Sequence, residues 1–328
     1  MAKVETKKSK KSFPCRLARD LKKNKFRYLI ILPVIAYYFI FCYKPMYGAI
    51  IAFKDYSPAL GIMESPWVGF KHFLAFFDSF YFWRILKNTI VMSLASLIFG
   101  FPAPILLALL INEVTNRHYK KFVQTVSYIP HFISLVVVCS MIKEFTMDSG
   151  IINDFLSLFG FDRVTMLNEK QYIVPIYVIS NIWQQIGWDS IIYLAALTGV
   201  SKELYEAADL DGASKLKQVF YVTLPGILPT IITMLLLKIG NILNVGYEKV
   251  ILLYNEATYE TADVISSYVY RKGLQEFDWS FSTAVGLFNF FINFGKIDAI
   301  PQSIQQKKSG KTVEKALPLV CKKFKQSN

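Results

Sequence analysis

Polar side chains recur at helical spacing within two long apolar stretches of this chain. On each stretch they share one helical face, at offsets of three, four and seven residues; they are Asn181, Gln184, Gln185 and Trp188 in the first and Asn241, Asn244 and Glu248 in the second. Amides donate and accept hydrogen bonds, so both faces suit a ligand rich in hydroxyl groups. Hydrogen bonding between neighbouring helices is the alternative interpretation of each residue.

Two opposite charges interrupt the same stretches. Asp189 lies in the first and Lys238 in the second. Each charge is costly alone in an apolar surrounding, so their placement predicts an ion pair between neighbouring helices. If Lys238 instead faces a ligand pathway unpaired, it would favour an acidic ligand such as a uronate.

The sequence predicts no catalytic residue, metal site or cofactor. Its three histidines, His72, His118 and His131, are far apart, and its four cysteines are scattered without metal-ligand spacing. A phosphate-binding loop of the G-x-x-x-x-G-K-[ST] type does not occur in the sequence. We therefore expect a protein that is not an enzyme and does not bind ATP itself.

The elements that carry these residues are predicted to be transmembrane helices. The chain is 53% hydrophobic and only 19% charged, and its mean hydropathy is +0.34. Charge-free or nearly charge-free runs occupy residues 28–43, 88–112, 122–142, 171–188, 218–237 and 279–295. Most of these runs reach the roughly 17–25 residues that a span needs, and residues 45–53 extend the first. The predicted fold class is all-α, a polytopic membrane protein with six transmembrane helices, rather than a large soluble protein with buried helices.

The distribution of charge predicts the orientation of these spans. Lys and Arg are concentrated in residues 1–27, 113–121, 201–217 and the C-terminal tail, whereas acidic residues are concentrated in residues 143–170 and 255–278. Basic segments stay on the cytoplasmic side of a membrane. We expect a multi-pass protein of the bacterial plasma membrane with both termini in the cytoplasm. The net charge of +13 then reflects topology and contact with anionic lipid, and no nucleic-acid partner is expected.

The loop between the fourth and fifth predicted spans carries the most specific pattern. It reads EAADLDGASKLKQVFYVTLP, and its marked positions are Glu206, Ala207, Ala208, Asp209, Gly212, Leu224 and Pro225. Ser201 is a suitable helix N-cap, and Gly212 allows a sharp turn. The spacing resembles the EAA loop of binding-protein-dependent ABC import permeases, in which a short cytoplasmic helix docks on an ATPase subunit. An ordinary amphipathic connector is the alternative interpretation.

The resemblance extends over about two thirds of the chain. Residues 82–294 resemble the shared transmembrane module of type I ABC importers, and residues 44–58, 181–197, 224–237 and 243–255 resemble polysaccharide and oligosaccharide permeases of the multiple-sugar type. The resemblance implies a carbohydrate importer. It also implies four kinds of partner: a second homologous permease, two copies of an ATPase, a lipid-anchored or periplasmic sugar-binding protein, and the sugar itself.

The predicted organisation has four parts. Residues 1–27 form a basic cytoplasmic segment, 28–81 the first span and an external loop, and 82–298 the permease domain with coupling loop 201–222. The tail 299–328 is polar where related permeases continue apolar, so a native tail and a frameshift near residue 290, which would inactivate the permease, both stay open. Other functional alternatives are a permease for peptides, amino acids or another solute, and a secondary transporter or membrane enzyme with a chance EAA pattern.

Overall fold

The computed structural model describes residues 23–298, and of the side chains in the last helix it describes those up to residue 293. Residues 1–22 and the polar tail 299–328 lie outside the described residues, so the frameshift alternative is not addressed by the fold. By their contacts the residues divide into two compact units, Met1–Gly69 and Phe70–Asn328.

The first unit contains one continuous apolar helix of 29 residues, Lys25–Phe53. Its parts in chain order are α1 (Lys25–Tyr38), a π-helical turn (Phe39–Tyr43), α2 (Lys44–Met46) and a 3-10 helix (Tyr47–Phe53), after which α3 (Gly61–Glu64) follows. The Nζ of Lys54 donates to the carbonyls of Ile62 and Met63 at 2.7 and 2.9 Å, which satisfies the end of α3. The prediction that the first span continues beyond Lys44 is confirmed.

The second unit is built from helices joined by short turns. In chain order these are α4 (Lys71–Phe77), α5 (Phe82–Ala95), α6 (Pro102–Glu113), α7 (Arg117–Tyr128), α8 (Leu135–Thr146), α9 (Ile151–Ser157), α10 (Lys170–Leu197), α11 (Lys202–Leu210), α12 (Lys215–Gln218), α13 (Leu224–Gly240), α14 (Tyr247–Leu253), α15 (Tyr259–Ala262), α16 (Ile265–Tyr270) and α17 (Trp279–Asp298). The π-helical turns Ser96–Gly100 and Val219–Thr223 connect α5 to α6 and α12 to α13 without a break in direction.

Helix α10 is central to the second unit because it contributes to two of its three apolar clusters. Tyr177 packs near Met92 of α5 in one cluster. Tyr193, further along α10, packs with Ile227 of α13 in another. The third cluster surrounds Phe76 and joins α4, α5, α16 and α17. Both halves of α10 are therefore fixed by buried side chains from several helices.

The third predicted span is not one straight helix. The segments Arg117–Phe132 and Leu135–Ser157 meet at an angle of 98°. Pro130 has no amide hydrogen to donate into a helix, and Ile133 adopts an extended backbone with ψ of 133°. The expectation of an unbroken span over residues 122–142 is therefore wrong at residues 129–134.

The count of six spans is confirmed only in part. Three helices of the described chain are long and apolar enough to cross a membrane: Lys25–Phe53, Phe82–Glu113 and Lys215–Gly240. The bent pair of the preceding paragraph forms a fourth if it is one span. The fourth and sixth predicted spans are helices of 28 and 20 residues, but amide and charged side chains make them too polar to be recognised by composition. The described residues form an all-helical membrane fold.

Candidate functional site: a polar cavity and an exposed connecting helix

A polar cavity of about 170 Å³ lies between α5, α6, α10 and the end of α13. Residues singled out from the sequence contribute much of its lining; they are Asn181, Gln185, Asp189, Lys238, Asn241 and Asn244. Sequence reasoning missed Ser93, Ser96 and Tyr177, which also line it. The signal for Tyr177 was its place four residues before Asn181 on the same helical face. The cavity therefore brings hydroxyl, amide and charged groups together.

Asp189 and Lys238 carry the charges of the cavity lining. The Nζ of Lys238 lies 3.5 Å from the Oδ2 of Asp189, and their side chains are 55% and 34% exposed. This separation is longer than the about 2.7–2.9 Å of a direct charge-assisted hydrogen bond. Among the described residues neither side chain makes a hydrogen bond. The two charges attract each other across the cavity without being locked together.

Gln185 is oriented by the bend between α7 and α8. Its Oε1 lies 2.8 Å from the Nδ1 of His131. The His131 ring stacks on Trp188 with centroids 4.3 Å apart and planes 1° apart. Because His131 and Trp188 hold the amide from one side, Gln185 presents a fixed edge to the cavity.

Gln184 and Trp188, two residues of the predicted pathway, support the bend and are not part of the cavity lining. Gln184 is buried, and its Nε2 lies 3.5 Å from the carbonyl of Ile133, where the helix is interrupted. Beside it, α10 approaches α7 so closely that a Cβ on Gly187 would lie 2.0 Å from the carbonyl oxygen of Ser127. For Gln184 and Trp188 these contacts favour the structural alternative of bonding between helices.

The second predicted face, Asn241, Asn244 and Glu248, does not lie on one helix. Helix α13 ends at Gly240, and Asn241 leaves helical geometry with φ of −114° and ψ of 20°. The next helix begins only at Tyr247. Glycine weakens the helix end, and asparagine bonds readily to nearby backbone. The expected helical spacing is wrong here: both asparagines line the cavity, whereas Glu248 is exposed and is not among its lining residues.

Asn244 also belongs to a cluster of amides that sequence reasoning missed. The Nδ2 groups of Asn289 and Asn293, both on α17, lie 3.4 Å from the Oδ1 of Asn244. The Oδ1 of Asn293 accepts from the amide of Leu243 at 3.1 Å. These bonds hold the irregular segment after α13 against α17, so that Asn244 keeps a defined position at the cavity.

The connecting segment between α10 and α13 forms the predicted short helix. Ser201 caps α11, because its Oγ accepts from the amide of Glu203 at 3.3 Å. After α11 the chain turns at Gly212, whose φ of 69° lies in the left-handed region that favours glycine. Ser214 precedes α12 without a side-chain cap. The local structure follows the residue types at the start and end of α11.

The exposed surface of α11 includes acidic, small and apolar side chains. Glu206 and Ala207 are exposed, and Ala208 is half-buried. Leu210 is 90% exposed, the highest exposure among the large hydrophobic side chains of the described residues. Leu224 and Pro225 lie apart from this surface, because Leu224 packs into the cluster around Tyr193 and Pro225 occupies the first turn of α13.

Two hydrogen bonds attach α11 to the base of the helix that carries Lys238. The Nε2 of Gln218 donates to the Oδ1 of Asp209 at 2.5 Å, and Gln218 is buried. The hydroxyls of Tyr205 and Thr223 lie 2.9 Å apart. Asp209 therefore makes a contact within this chain, because its carboxylate accepts a hydrogen bond from Gln218. The sequence pattern did not indicate a role for Gln218, Tyr205 or Thr223.

The opposite end of α10 is held by an ion pair. Lys170, the first residue of α10, pairs with Glu260 of α15. The hydrogen bond from the Lys170 ammonium, followed by its charge, lowers the pKa of the Glu260 carboxyl from its ordinary value. The start of α10 is therefore connected to α15 by a polar contact, whereas Leu197 at its other end packs in an apolar cluster.

Comparison with known proteins gives a family match over the part of the chain that contains α11 and most of the cavity lining. Residues 100–294 match the family described as "Binding-protein-dependent transport system inner membrane component". The chain is 47% identical over 274 residues to the polygalacturonan/rhamnogalacturonan transport system permease protein YteP of Bacillus subtilis, covering 83% of this chain and 85% of that protein. It is 44% identical to protein LplB of the same organism, with coverage of 82% and 85%.

Solved structures agree with these relatives. One chain of a bacterial ABC transporter involved in import of the acidic polysaccharide alginate superposes with a TM-score of 0.82 at 45% identity, covering 89% of this chain and 99% of that one. A bacterial alginate ABC transporter in complex with an alginate pentasaccharide-bound periplasmic protein gives a TM-score of 0.79 at 46% identity, with coverage of 86% and 94%. These matches confirm the resemblance to sugar permeases that the sequence carries.

Proposed function

Because this chain belongs to the family of inner membrane components of binding-protein-dependent transport systems, we propose that it is a permease subunit of an ATP-driven importer of oligosaccharides or polysaccharide fragments. It forms part of the translocation pathway and carries out no chemical step. The importer is coupled through α11 to a separate ATPase. Relatives that import polygalacturonan, rhamnogalacturonan and alginate support a carbohydrate substrate.

The observation that carries the proposal is the connection between the exposed helix and the cavity. Helix α11 follows α10, which provides Asn181, Gln185 and Asp189 to the cavity, and precedes the continuous helix that provides Lys238. A displacement of α11 therefore acts on both walls of the cavity at once. This is the arrangement that alternating access requires: ATP-driven closure of the ATPase moves α11, and α10 and α13 change the side to which the cavity opens.

The proposal includes partners and an orientation. A second homologous permease completes the pathway, two copies of an ATPase bind on the α11 side, and a lipid-anchored or periplasmic sugar-binding protein delivers the substrate on the other. The binding protein in one related solved complex supports the last of these. Both termini and α11 face the cytoplasm, which agrees with the concentration of Lys and Arg in residues 1–27 and 113–121.

Leu210 is the apolar anchor that we assign to the ATPase contact. It is 90% exposed at the end of α11, next to the small side chains that permit close approach. Buried apolar anchors carry a large share of binding energy at interfaces. Glu206 adds a charge that a basic group on the ATPase would pair with. Asp209 contributes indirectly, by holding α11 through Gln218.

The test replaces Leu210 by aspartate. Since the side chain is exposed, Leu210→Asp leaves the packing of the permease intact. We expect loss of copurified ATPase and loss of hydrolysis stimulated by sugar and binding protein. The matched control is Leu158→Asp, which changes another leucine that is 80% exposed but lies in the predicted external segment 143–170. If both variants behave like the wild type, α11 is only a connector and the coupling role is wrong.

A further inference from the structure

The described side chains around the cavity carry more positive than negative charge. Asp189 and Lys238 cancel formally, but Lys249 of α14 adds a third charge behind the wall. Its Nζ lies 5.7 Å from the ring centre of Tyr177, a residue that lines the cavity. Lys249 is 4% exposed, and in the described part of the chain its Nζ has no hydrogen-bond partner. The cavity therefore has a positive field that no resident carboxylate offsets.

The resident ion pair is arranged so that its partner can be exchanged. At 3.5 Å the charges of Lys238 and Asp189 are close but not directly hydrogen-bonded, and more than half of the Lys238 side chain is exposed. Lysine is a flexible point charge with three donors, so its ammonium can turn to a second carboxylate without moving the backbone. With a ligand carboxylate bound, two negative charges, those of Asp189 and the ligand, face two positive charges, those of Lys238 and the buried Lys249, so the formal charges cancel.

The rest of the polar lining suits the uncharged part of a sugar. Asn181, Gln185, Asn241 and the serines Ser93 and Ser96 offer donors and acceptors without charge. The cavity of about 170 Å³ is smaller than the roughly 300–1,000 Å³ of pockets that enclose drug-sized ligands. It therefore accommodates a short part of a sugar chain at a time, with one charged substituent beside Lys238.

We propose that this cavity binds an acidic sugar unit, with Lys238 accepting the carboxylate of a uronate in place of its resident partner Asp189. Lys249 contributes through its field and does not contact the ligand. The inference rests on the proposed function, because it names the charge class of the same substrate. It assigns specificity to Lys238 and makes Asp189 the counter-ion of Lys238 while no ligand is bound.

The experiment uses the full chain in a reconstituted complex with partner permease, ATPase and binding protein. ATP hydrolysis is measured with an oligogalacturonate and an alginate oligomer, and with each after methyl esterification of its carboxyl groups. The variants are Lys238→Gln, Asp189→Asn and the double variant. For each oligomer, the stimulated rate of ATP hydrolysis of a variant is divided by that of the wild type. The binding protein is common to all arms, so its own preference cancels in this ratio. Lys272→Gln is the control, because Lys272 lies outside the cavity lining.

We expect Lys238→Gln to reduce stimulation by the acidic oligomers about tenfold, as for the loss of one bond to a charged group, and to leave the esters unaffected. The double variant should show the same selective loss without an orphaned charge. Lys272→Gln should retain the full response to all four oligomers. Asp189→Asn changes a residue of the cavity lining, so any loss there should fall on acids and esters alike. Equal loss with acids and esters in Lys238→Gln, or a loss confined to the acids in Asp189→Asn, would overturn the inference.

The response of the wild-type complex to the four oligomers distinguishes a failure of this inference from a failure of the proposed function. If acids and esters stimulate hydrolysis equally, the carbohydrate importer stands and the carboxylate subsite is wrong. If none of the four oligomers stimulates hydrolysis in an assembled complex, both fail together.

Discussion

Gln218 donates a hydrogen bond from its Nε2 to the Oδ1 of Asp209 at 2.5 Å, and this bond joins α11 to the base of α13. Gln218 is buried and also donates to the carbonyl of Ala213 at 3.1 Å. A force applied to α11 is therefore transmitted to the helix that carries Lys238 through fixed polar contacts, and not only through the flexible turn at Gly212.

Removal of this bond should uncouple hydrolysis from transport. Gln218→Leu keeps a side chain of similar size but leaves Asp209 without its donor. We expect the complex to assemble and to hydrolyse ATP, with sugar uptake into vesicles reduced about tenfold, since the lost bond involves a charged group. Uptake and hydrolysis are measured on the same vesicles.

The matched control for Gln218→Leu is Lys217→Leu, which changes the neighbouring exposed residue and removes no contact with Asp209. Equal effects of the two variants on uptake would contradict a special role for the bond.

The close approach of α10 and α7 makes Gly187 intolerant of any side chain. A Cβ there would lie 2.0 Å from the Ser127 carbonyl oxygen, so the helices must separate. Gly187→Ala should destabilise the protein by about 1–3 kcal/mol, as for overpacked interiors. Thermal unfolding in detergent measures the change.

Gly286 of α17 provides the comparison, because a Cβ there meets nothing within 4 Å. Gly286→Ala should leave the unfolding temperature the same or raise it slightly, since alanine is the better helix former. A lower unfolding temperature in Gly286→Ala than in Gly187→Ala would show that the contact with Ser127 is not the cause.

Reversal of the intramembrane charges tests whether Asp189 and Lys238 act as a pair. Asp189→Lys alone and Lys238→Asp alone each place two like charges 3.5 Å apart by the native geometry, so assembly should be impaired. The double reversal restores attraction, and we expect its yield of assembled complex to recover toward wild type. A double variant that assembles no better than the single variants would contradict the pairing.

The ion pair at the start of α10 predicts a dependence on acid. Because Lys170 lowers the pKa of Glu260, the contribution of this pair is present above the ordinary glutamate pKa of about 4.3 and is lost as pH falls through the lowered value. Lys170→Gln should raise the Glu260 pKa, measured by carbon-13 NMR of labelled glutamate. Lys87→Gln is the control and should raise it less, since Lys87 is the smallest contributor; an equal rise would contradict the assignment.

The sequence predicts those features that depend on neighbours along the chain. The charge-free runs, the cap at Ser201 and the turn at Gly212 are local, and the comparisons with relatives agree with the pattern around them. The bend after Pro130 and the end of α13 at Gly240 could not be predicted from the sequence. The composition around them is apolar on both sides, so it gives no indication that the backbone changes direction.

The sequence predicts those cavity-lining residues that repeat on one helix and misses those that meet across helices. Asn181 and Gln185 face the cavity as their spacing implies. Trp188 has the same spacing, but its ring stacks on that of His131. His131 lies 57 positions earlier, and nothing in the sequence indicates this contact. Long-range partners of this kind follow only from the packing of α10 against the bend.

The length of helix α10 determines how far its ends move when it tilts. Its 28 residues extend about 42 Å at 1.5 Å per residue, and they run without interruption from the ion pair at Lys170 to the turn before α11. If a helix of this length tilts as one body, a tilt of about ten degrees about one end displaces the other end by about 7 Å on the same rise per residue. If the proposed coupling moves α11, a small rotation there would become ångström-scale movement at Lys170, and one subunit would link the two ends of this helix mechanically.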